Sequence, residues 1–249
     1  MGLSTVVRSL RVLEAVAEHQ PVSVGELSKI FGLSESTMRR TLRALKVSGW
    51  LRADPLDATR WEIGAWVFGV RPTALRNTRL FPAARELMIR LRDAPDETVL
   101  LSVPDALNDM VVVDRVDCGH AVRPFHAIGD TSRQYATAPG RAVLAHLPVP
   151  EADGLVTGGL DDRGAPIATD AAELRAELRH IRDRGYAVDQ NRHRPGVCAV
   201  AAPVLDHDGV PLAAVSVSVP EYRFGPVRLD ALGQLVKDTG ARITARHCN

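Results

Sequence analysis

Between Ser34 and Lys46 the chain reads SESTMRRTLRALK, which sets three arginines (Arg39, Arg40, Arg43) and Lys46 beside the hydroxyls of Ser34, Ser36 and Thr37. Guanidinium groups at that density suit bidentate hydrogen bonds to guanine O6/N7 or to phosphate, and short hydroxyls can reach phosphates or base edges. A second stretch with chemical content is AAVSVSVP, where Ser216 and Ser218 alternate with valines. Little else suggests chemistry. There is no Gly-rich phosphate loop in the right context, and no H-E-x-x-H, C-x-x-C or G-x-S-x-G. Asp117-Cys118-Gly119-His120 and His247-Cys248 bring metal-capable atoms together, but without the paired spacing of a zinc site. Cys198 reads as a buried structural thiol. No nucleophile stands with its base, so no catalytic residue, metal or cofactor is expected.

For the arginines to reach a groove, a rigid element must present them on one face. Met38, Leu42 and Leu45 fall at i, i+4, i+7 and predict a helix with those residues inward and Ser36, Thr37, Arg39, Arg40 and Arg43 largely outward. Ser34 caps it, with Glu35 in the first turn where the dipole favours an anion. Ahead of it, Ser23 and Glu26 form a capping box for a helix carrying Leu27, Ile30 and Phe31, ended by Gly32. A first helix is expected from about Ser4 to Glu18, with Val6, Leu10, Leu13 and Ala17 at helical spacing. Two short helices joined by a tight glycine turn form a helix-turn-helix, whose second helix enters the major groove. GWLRADPLDATRWEIG then reads as strand, turn, strand, a wing. Arg52 and Arg60 on it either touch DNA or are exposed edge-strand charges. The apolar stretch around Trp66 and Phe68 is either a self-associating linker helix or packing for the wing. Reading a palindrome requires two copies of such a module.

Charge is divided accordingly. The net charge is +1, yet the first 80 residues hold 12 Lys and Arg against 7 Asp and Glu, and the remainder 19 against 23. Only the first part is suited to a polyanion. The 28 arginines against 3 lysines are read as genome composition.

The remaining 170 or so residues mix helices and strands in the order of an antiparallel-rich α+β domain. Helices are expected over 82–92, 138–147, 170–184 (capped by Asp170, closed by Gly185) and 228–246. Strands are expected over 98–103, 110–116, about 122–126, and in a hairpin of 197–205 with 210–219. In that hairpin Ala214, Ser216 and Ser218 share one face, and on the partner strand Ala199, Ala201 and Pro203 alternate with Cys198, Val200, Ala202 and Val204. Small residues with hydroxyls describe either a concave pocket for a small polar molecule or a face on which a helix packs closely. No apolar run is long enough to span a membrane. The charged, amphipathic N-terminus lacks the apolar core of a signal peptide. Three dispersed cysteines fit a reducing, cytoplasmic setting.

Three segments together resemble the IclR family of bacterial transcriptional regulators. SLRVLEAVAEHQPVSVGELSKIFGLSESTMRRTLRAL is similar to its winged helix-turn-helix, IGDTSRQYATAPGRAVLAHLP to a hallmark segment of its effector domain, and LRHIRDRGYAVDQNRHRPGVCAVAAPVLDHDGVPLAAVSVSVP to its C-terminal signature. The resemblance implies an N-terminal winged helix-turn-helix (1–64), a linker helix (65–80) and a C-terminal GAF-like α+β effector-binding domain (81–249). It implies homodimers that associate as tetramers, and a small organic-acid effector. DNA contacts would come from Ser34, Ser36, Thr37, Arg39, Arg40, Arg43, Lys46 and Arg60 on a double-stranded palindromic operator. Effector contacts would come from Phe125, Ala138, Pro139, Gly140, Asp189, Val197, Ala199, Ser216 and Ser218. Backbone N–H groups at 138–140 would suit a carboxylate, although Pro139 supplies none. Thr41 stands where such cores prefer an aliphatic residue. The function expected is repression of a metabolic operon under effector control. The alternatives are a GAF-domain enzyme with an appended DNA-binding module, and an architectural DNA-binding protein whose second domain only oligomerises.

Overall fold

A computed structural model describes residues 5–67, 70, 79–158 and 170–248. The chain divides into two compact units, Met1–Thr78 and Arg79–Asn249. Most of the expected linker helix, with Phe68, lies outside the described residues; Trp66 is described and is exposed.

The first unit contains α1 (Thr5–His19), β1 (Val22–Ser23), α2 (Val24–Phe31), α3 (Glu35–Val47), β2 (Leu51–Ala53) and β3 (Arg60–Ile63). The capping box forms as read: Ser23 Oγ accepts from Glu26 N, and Glu26 Oε2 accepts from Ser23 N at 2.8 Å. Gly32 takes φ +61°, a backbone that side-chain-bearing residues rarely adopt, and this lets α3 leave sharply from α2. Met38 and Leu42 are fully buried against Val12, Val16, Leu27 and Leu51. Thr41 is buried among them, and its hydroxyl bonds back to the Thr37 carbonyl at 3.2 Å, so the misplaced polar group is satisfied. The wing gains a strand the sequence did not signal, since two-residue β1 pairs with β3 to give the order β1-β3-β2. On α1 the inward face differs from the expected stripe. Val12, Ala15 and Val16 are buried, whereas Val6, Leu10 and Ala17 are exposed.

The second unit contains α4 (Leu80–Asp93), β4 (Thr98–Pro104), β5 (Asp109–Val116), β6 (Thr131–Arg133), α5 (Ala138–Leu144), α6 (Val149–Gly158), α7 (Ala171–Arg184), β7 (Ala187–Gln190), β8 (Val197–Leu205), β9 (Pro211–Pro220) and α8 (Pro226–Cys248). Its antiparallel sheet runs β6-β5-β4-β9-β8-β7. Alternation divides the side chains between two layers. Val99, Leu101, Val200, Ala202, Val204, Val215, Val217 and Val219 pack on one side with Leu87 and Leu91 of α4 and Leu232, Val236 and Ile243 of α8. The opposite face carries Ala187 and Ala201, against which Ala138 and Ala142 of α5 and Leu174, Leu178 and Ile181 of α7 pack. No described helix is long and apolar enough to cross a membrane.

The strand expected at 122–126 is absent. Pro124 has no N–H for a ladder, and arginine side chains take the carbonyls on either side of the next bond: Arg194 donates to Phe125 O and Arg115 to His126 O. The sheet edge is instead β6, paired with β5 through Met110 and Ser132. Strand β7 and helix α6 were not legible in the sequence; β7 is four residues long, too short for a pattern.

Candidate functional site

On α3 the cationic residues do not stand alike. Arg39 is tied to Glu35 one turn earlier at 3.1 Å. Lys46 lies over the Trp61 ring of the wing, 6.0 Å from its centre. Arg40 and Arg43 are exposed, and among the described residues neither has an ion-pair or side-chain hydrogen-bond partner. Ser34, Ser36 and Thr37 gather at the helix start. Ser34 Oγ accepts from Thr37 N and lies 3.0 Å from the hydroxyls of both Ser36 and Thr37. Arg60 does not project outward as expected. Its Nε and Nη2 donate to the Pro21 carbonyl at 2.9 and 2.7 Å, and Nη2 also reaches Glu26 at 3.3 Å. It ties the wing to the start of α2. Arg52 pairs with Glu62 on the neighbouring strand.

The second site is built on the small-residue face of the β8–β9 hairpin. The register places Ala199 opposite Ser218, Ala201 opposite Ser216 and Pro203 opposite Ala214. The two ends of this face are used differently. Helix α5 packs on Ala201, and its Val143 on Ala214. Beside it, over Ala199, Ser216 and Ser218, opens a cavity of about 470 Å³. Ala138, Pro139, Asp189, Val197, Ala199, Ser216 and Ser218 all line it. Phe125 and Gly140 are not among the lining residues. Phe125 is exposed, its ring under the Arg115 guanidinium. Gly140 serves packing, since a Cβ there would stand 2.0 Å from the Gln134 carbonyl oxygen.

Several lining groups carried no sequence signal because they sit on loops or on other strands: Ser102 of β4, His126 and Asp130 after β5, Thr131 and Ser132 of β6, Thr137, and His193 and Arg194 between β7 and β8. His126 lies 3.0 Å from Ser218 Oγ through Nε2. Burial, reinforced by the positive charge of Arg194, holds its pKa down to about 4, so the imidazole is neutral at pH 7. Burial also lowers the pKa of His193. The Asp189 carboxylate is buried and accepts from Arg192 N at 3.0 Å. Beneath it lies Arg141, 1% exposed, with Nη2 at 3.8 Å from Asp189 and Nε at 3.2 Å from Glu177. The Glu177 contact is an ion pair without hydrogen-bond alignment. The same guanidinium donates to the carbonyls of Tyr135, Ala136 and Val188. It thereby fixes the start of α5, β7 and the Asp189 side of the cavity together. Arg141 was legible only as one arginine among many.

At the start of α5 few amides face the cavity. Pro139 has none, and Gly140 N donates to Thr137 Oγ1 at 3.3 Å. Cys198 points away from the cavity, opposite Val219, and burial raises its thiol pKa. The Asp206-His207-Asp208 cluster at the β8–β9 turn has metal-ligand spacing, but Asp206 Oδ1 already accepts from the Asp208 and Val210 amides of its own turn.

A winged helix-turn-helix joined in one chain to an α+β unit with a polar cavity defines a ligand-responsive DNA-binding regulator. The profile of the bacterial transcriptional regulator IclR C-terminal domain matches residues 72–245, and that of the IclR helix-turn-helix domain residues 5–55. The transcriptional repressor IclR of Escherichia coli is 29% identical, covering 97% of this chain and 89% of the relative. The acetate operon repressor of Salmonella typhimurium is 29% identical with the same coverage. A solved IclR homolog from Microbacterium hydrocarbonoxydans, complexed with 4-hydroxybenzoate, shares the fold with a TM-score of 0.81 at 22% identity, covering 98% of both chains. The chain belongs to the IclR family: it is a DNA-binding transcriptional regulator with an effector-binding C-terminal domain.

Proposed function

We propose that the protein is a cytoplasmic repressor of a metabolic operon, and that a small organic acid bound in the 470 Å³ cavity controls its hold on DNA. The protein binds a palindromic operator as a homodimer and associates further as a tetramer. Helix α3 lies in the major groove, where Arg40 and Arg43 read base edges or phosphates and Ser34, Ser36, Thr37, Arg39 and Lys46 contribute from its flanks. Arg60 acts on DNA only through the wing it holds in place. The observation that carries the DNA side is the pair of exposed guanidiniums, unpartnered among the described residues, on a helix whose other face is buried.

On the effector side, Ala138, Pro139, Asp189, Val197, Ala199, Ser216 and Ser218 form the contact surface. The cavity volume falls within the range of small-molecule sites, about 300–1,000 Å³. The 4-hydroxybenzoate held by a relative of the same fold supports an acid as ligand. Control is then a coupling between two sites, in which the acid shifts DNA affinity and DNA shifts affinity for the acid by the same factor. In this reading the cavity senses the ligand and releases it unchanged, as befits a family of regulators. The test is titration of the protein onto duplex from its own upstream region, with and without candidate acids. A repressor under acid control binds that duplex, and one acid changes its affinity; indifference to every acid removes the sensor.

A further inference from the structure

Resting on the organic-acid reading of the cavity, we infer that the effector's carboxylate is anchored at the mouth by Arg194, between His126 and His193, and not at the start of α5. The α5 end offers an anion at most the single amide of Ala138, because Pro139 lacks an N–H and the Gly140 N–H is spent on Thr137. Arg194 is differently placed. It lines the cavity from an exposed position, and its guanidinium donates through Nη1 to the Phe125 carbonyl at 2.9 Å. Among the described residues no carboxylate lies within ion-pair distance of it. A neutral carbonyl leaves this exposed guanidinium without a carboxylate partner, and a carboxylate matches its fork with two charge-assisted hydrogen bonds. The buried carboxylate of the cavity, Asp189, does not compete, since it already faces Arg141 and the Arg192 amide.

The two imidazoles make the mouth more selective. His126 is faced by Arg194 and His193 from the β7–β8 loop, by Asp130 from its own loop, by Arg115 of β5 and by the Ser218 hydroxyl of β9. Of the charged groups, Asp130 alone favours the imidazolium, and burial and the three basic groups prevail against it. A carboxylate arriving at Arg194 tips that balance by screening the guanidinium and pairing with the imidazolium. Binding therefore raises the His126 pKa from its free value, and a proton is taken up where the pH lies between the two. The sign follows: above the free-protein pKa of about 4, affinity for the acid weakens as pH rises through the bound-state value. With the carboxylate at the mouth, the rest of the acid lies toward Ser216 and Ser102, which suits a molecule with a second polar group at its far end.

The test is isothermal titration of the full chain with lactate, succinate, benzoate and 4-hydroxybenzoate, each beside its amide. At least one acid should bind wild type more tightly than its amide. Arg194→Gln should weaken that acid by about tenfold or more, the scale of removing a charge-assisted hydrogen bond, and leave the amide unchanged. Arg194→Lys should retain part of the affinity. In buffers of different ionisation enthalpy near pH 6, wild type should take up a proton with the acid, and His126→Gln, which can still bond Ser218, should not. If Arg194→Gln binds the acid as wild type does, or loses acid and amide alike, the anchor is elsewhere and the acid sensor survives. If no acid binds wild type, the acid reading itself is overturned and this inference with it.

Discussion

Replacing the basic residues of the first unit one at a time should separate those that meet DNA from those that hold the unit together. Among the described residues Arg40 and Arg43 stand free, so reaching a phosphate costs neither of them an existing bond. Arg60 would have to give up two hydrogen bonds to Pro21 O and its approach to Glu26. If Arg40 or Arg43 binds a phosphate, its replacement by Ala should reduce the slope of log affinity against log salt by about 0.9 per bound protomer. If it binds a base edge, affinity for the cognate duplex should fall by about 1–3 kcal/mol and specificity should relax at one position. Arg60→Ala should leave the slope unchanged and lower the stability of the first unit. The two hydrogen bonds to the Pro21 carbonyl, made by a partly exposed side chain, are worth about 1–2 kcal/mol after allowance for solvent. Fluorescence anisotropy on upstream duplex between about 50 and 200 mM salt reads the slope, and thermal unfolding followed by tryptophan fluorescence reads stability, since all three tryptophans lie in this unit. Were Arg60→Ala to flatten the slope as much as Arg40→Ala while leaving stability intact, the geometric distinction between free and tethered arginines would be wrong.

Three other outcomes follow from the second unit. Arg141→Met should destabilise it by about 3–5 kcal/mol, because Asp189 and Glu177 are deprived of their buried cation and three carbonyls of a donor; urea unfolding read by circular dichroism checks this, and a destabilisation below about 1 kcal/mol would show the network to be dispensable. Gly140→Ala should prevent native packing of α5, since its Cβ would meet Gln134 O at 2.0 Å and Gln134 Cα at 2.3 Å with only backbone to yield; a soluble variant with wild-type melting temperature would contradict it. Stability should be fully present above pH 6.5 and decline as pH falls toward 4, because His126 must charge in the unfolded chain before the folded one. His193 and His146, also held down by burial, act in the same direction, so the diagnostic is the difference between wild type and His126→Gln across that window, and parallel curves would refute the assignment.

Features set by neighbours in sequence were legible without the fold. The Ser23–Glu26 box, the glycine turn at 32 and the Met38–Leu42–Leu45 stripe depend on residues within one or two turns, and each forms as read. The serine face of the β8–β9 hairpin was equally visible, because strand alternation assigns faces before any partner is known. On α1 the same periodicity misled, because apolar Val6 and Leu10 fit a helical stripe as well as Val12 and Val16 do, and only packing against α2 and α3 chose between them.

The amino-acid sequence by itself determined the class of molecule: a capped helix-turn-helix with a cationic outer face, followed by an α+β unit with a small, hydroxylated strand face. Tertiary structure alone decided which arginines are free and what surrounds the cavity. Arg39 and Arg60 look like Arg40 and Arg43 in a string of letters, and are told apart by a carboxylate one turn away and a carbonyl 39 residues away. His126 meets Ser218 across 92 positions of sequence, with Arg194 near enough to bias its charge. Loops carry no periodicity to read, and the charge state of a group is set by what long-range folding packs around it.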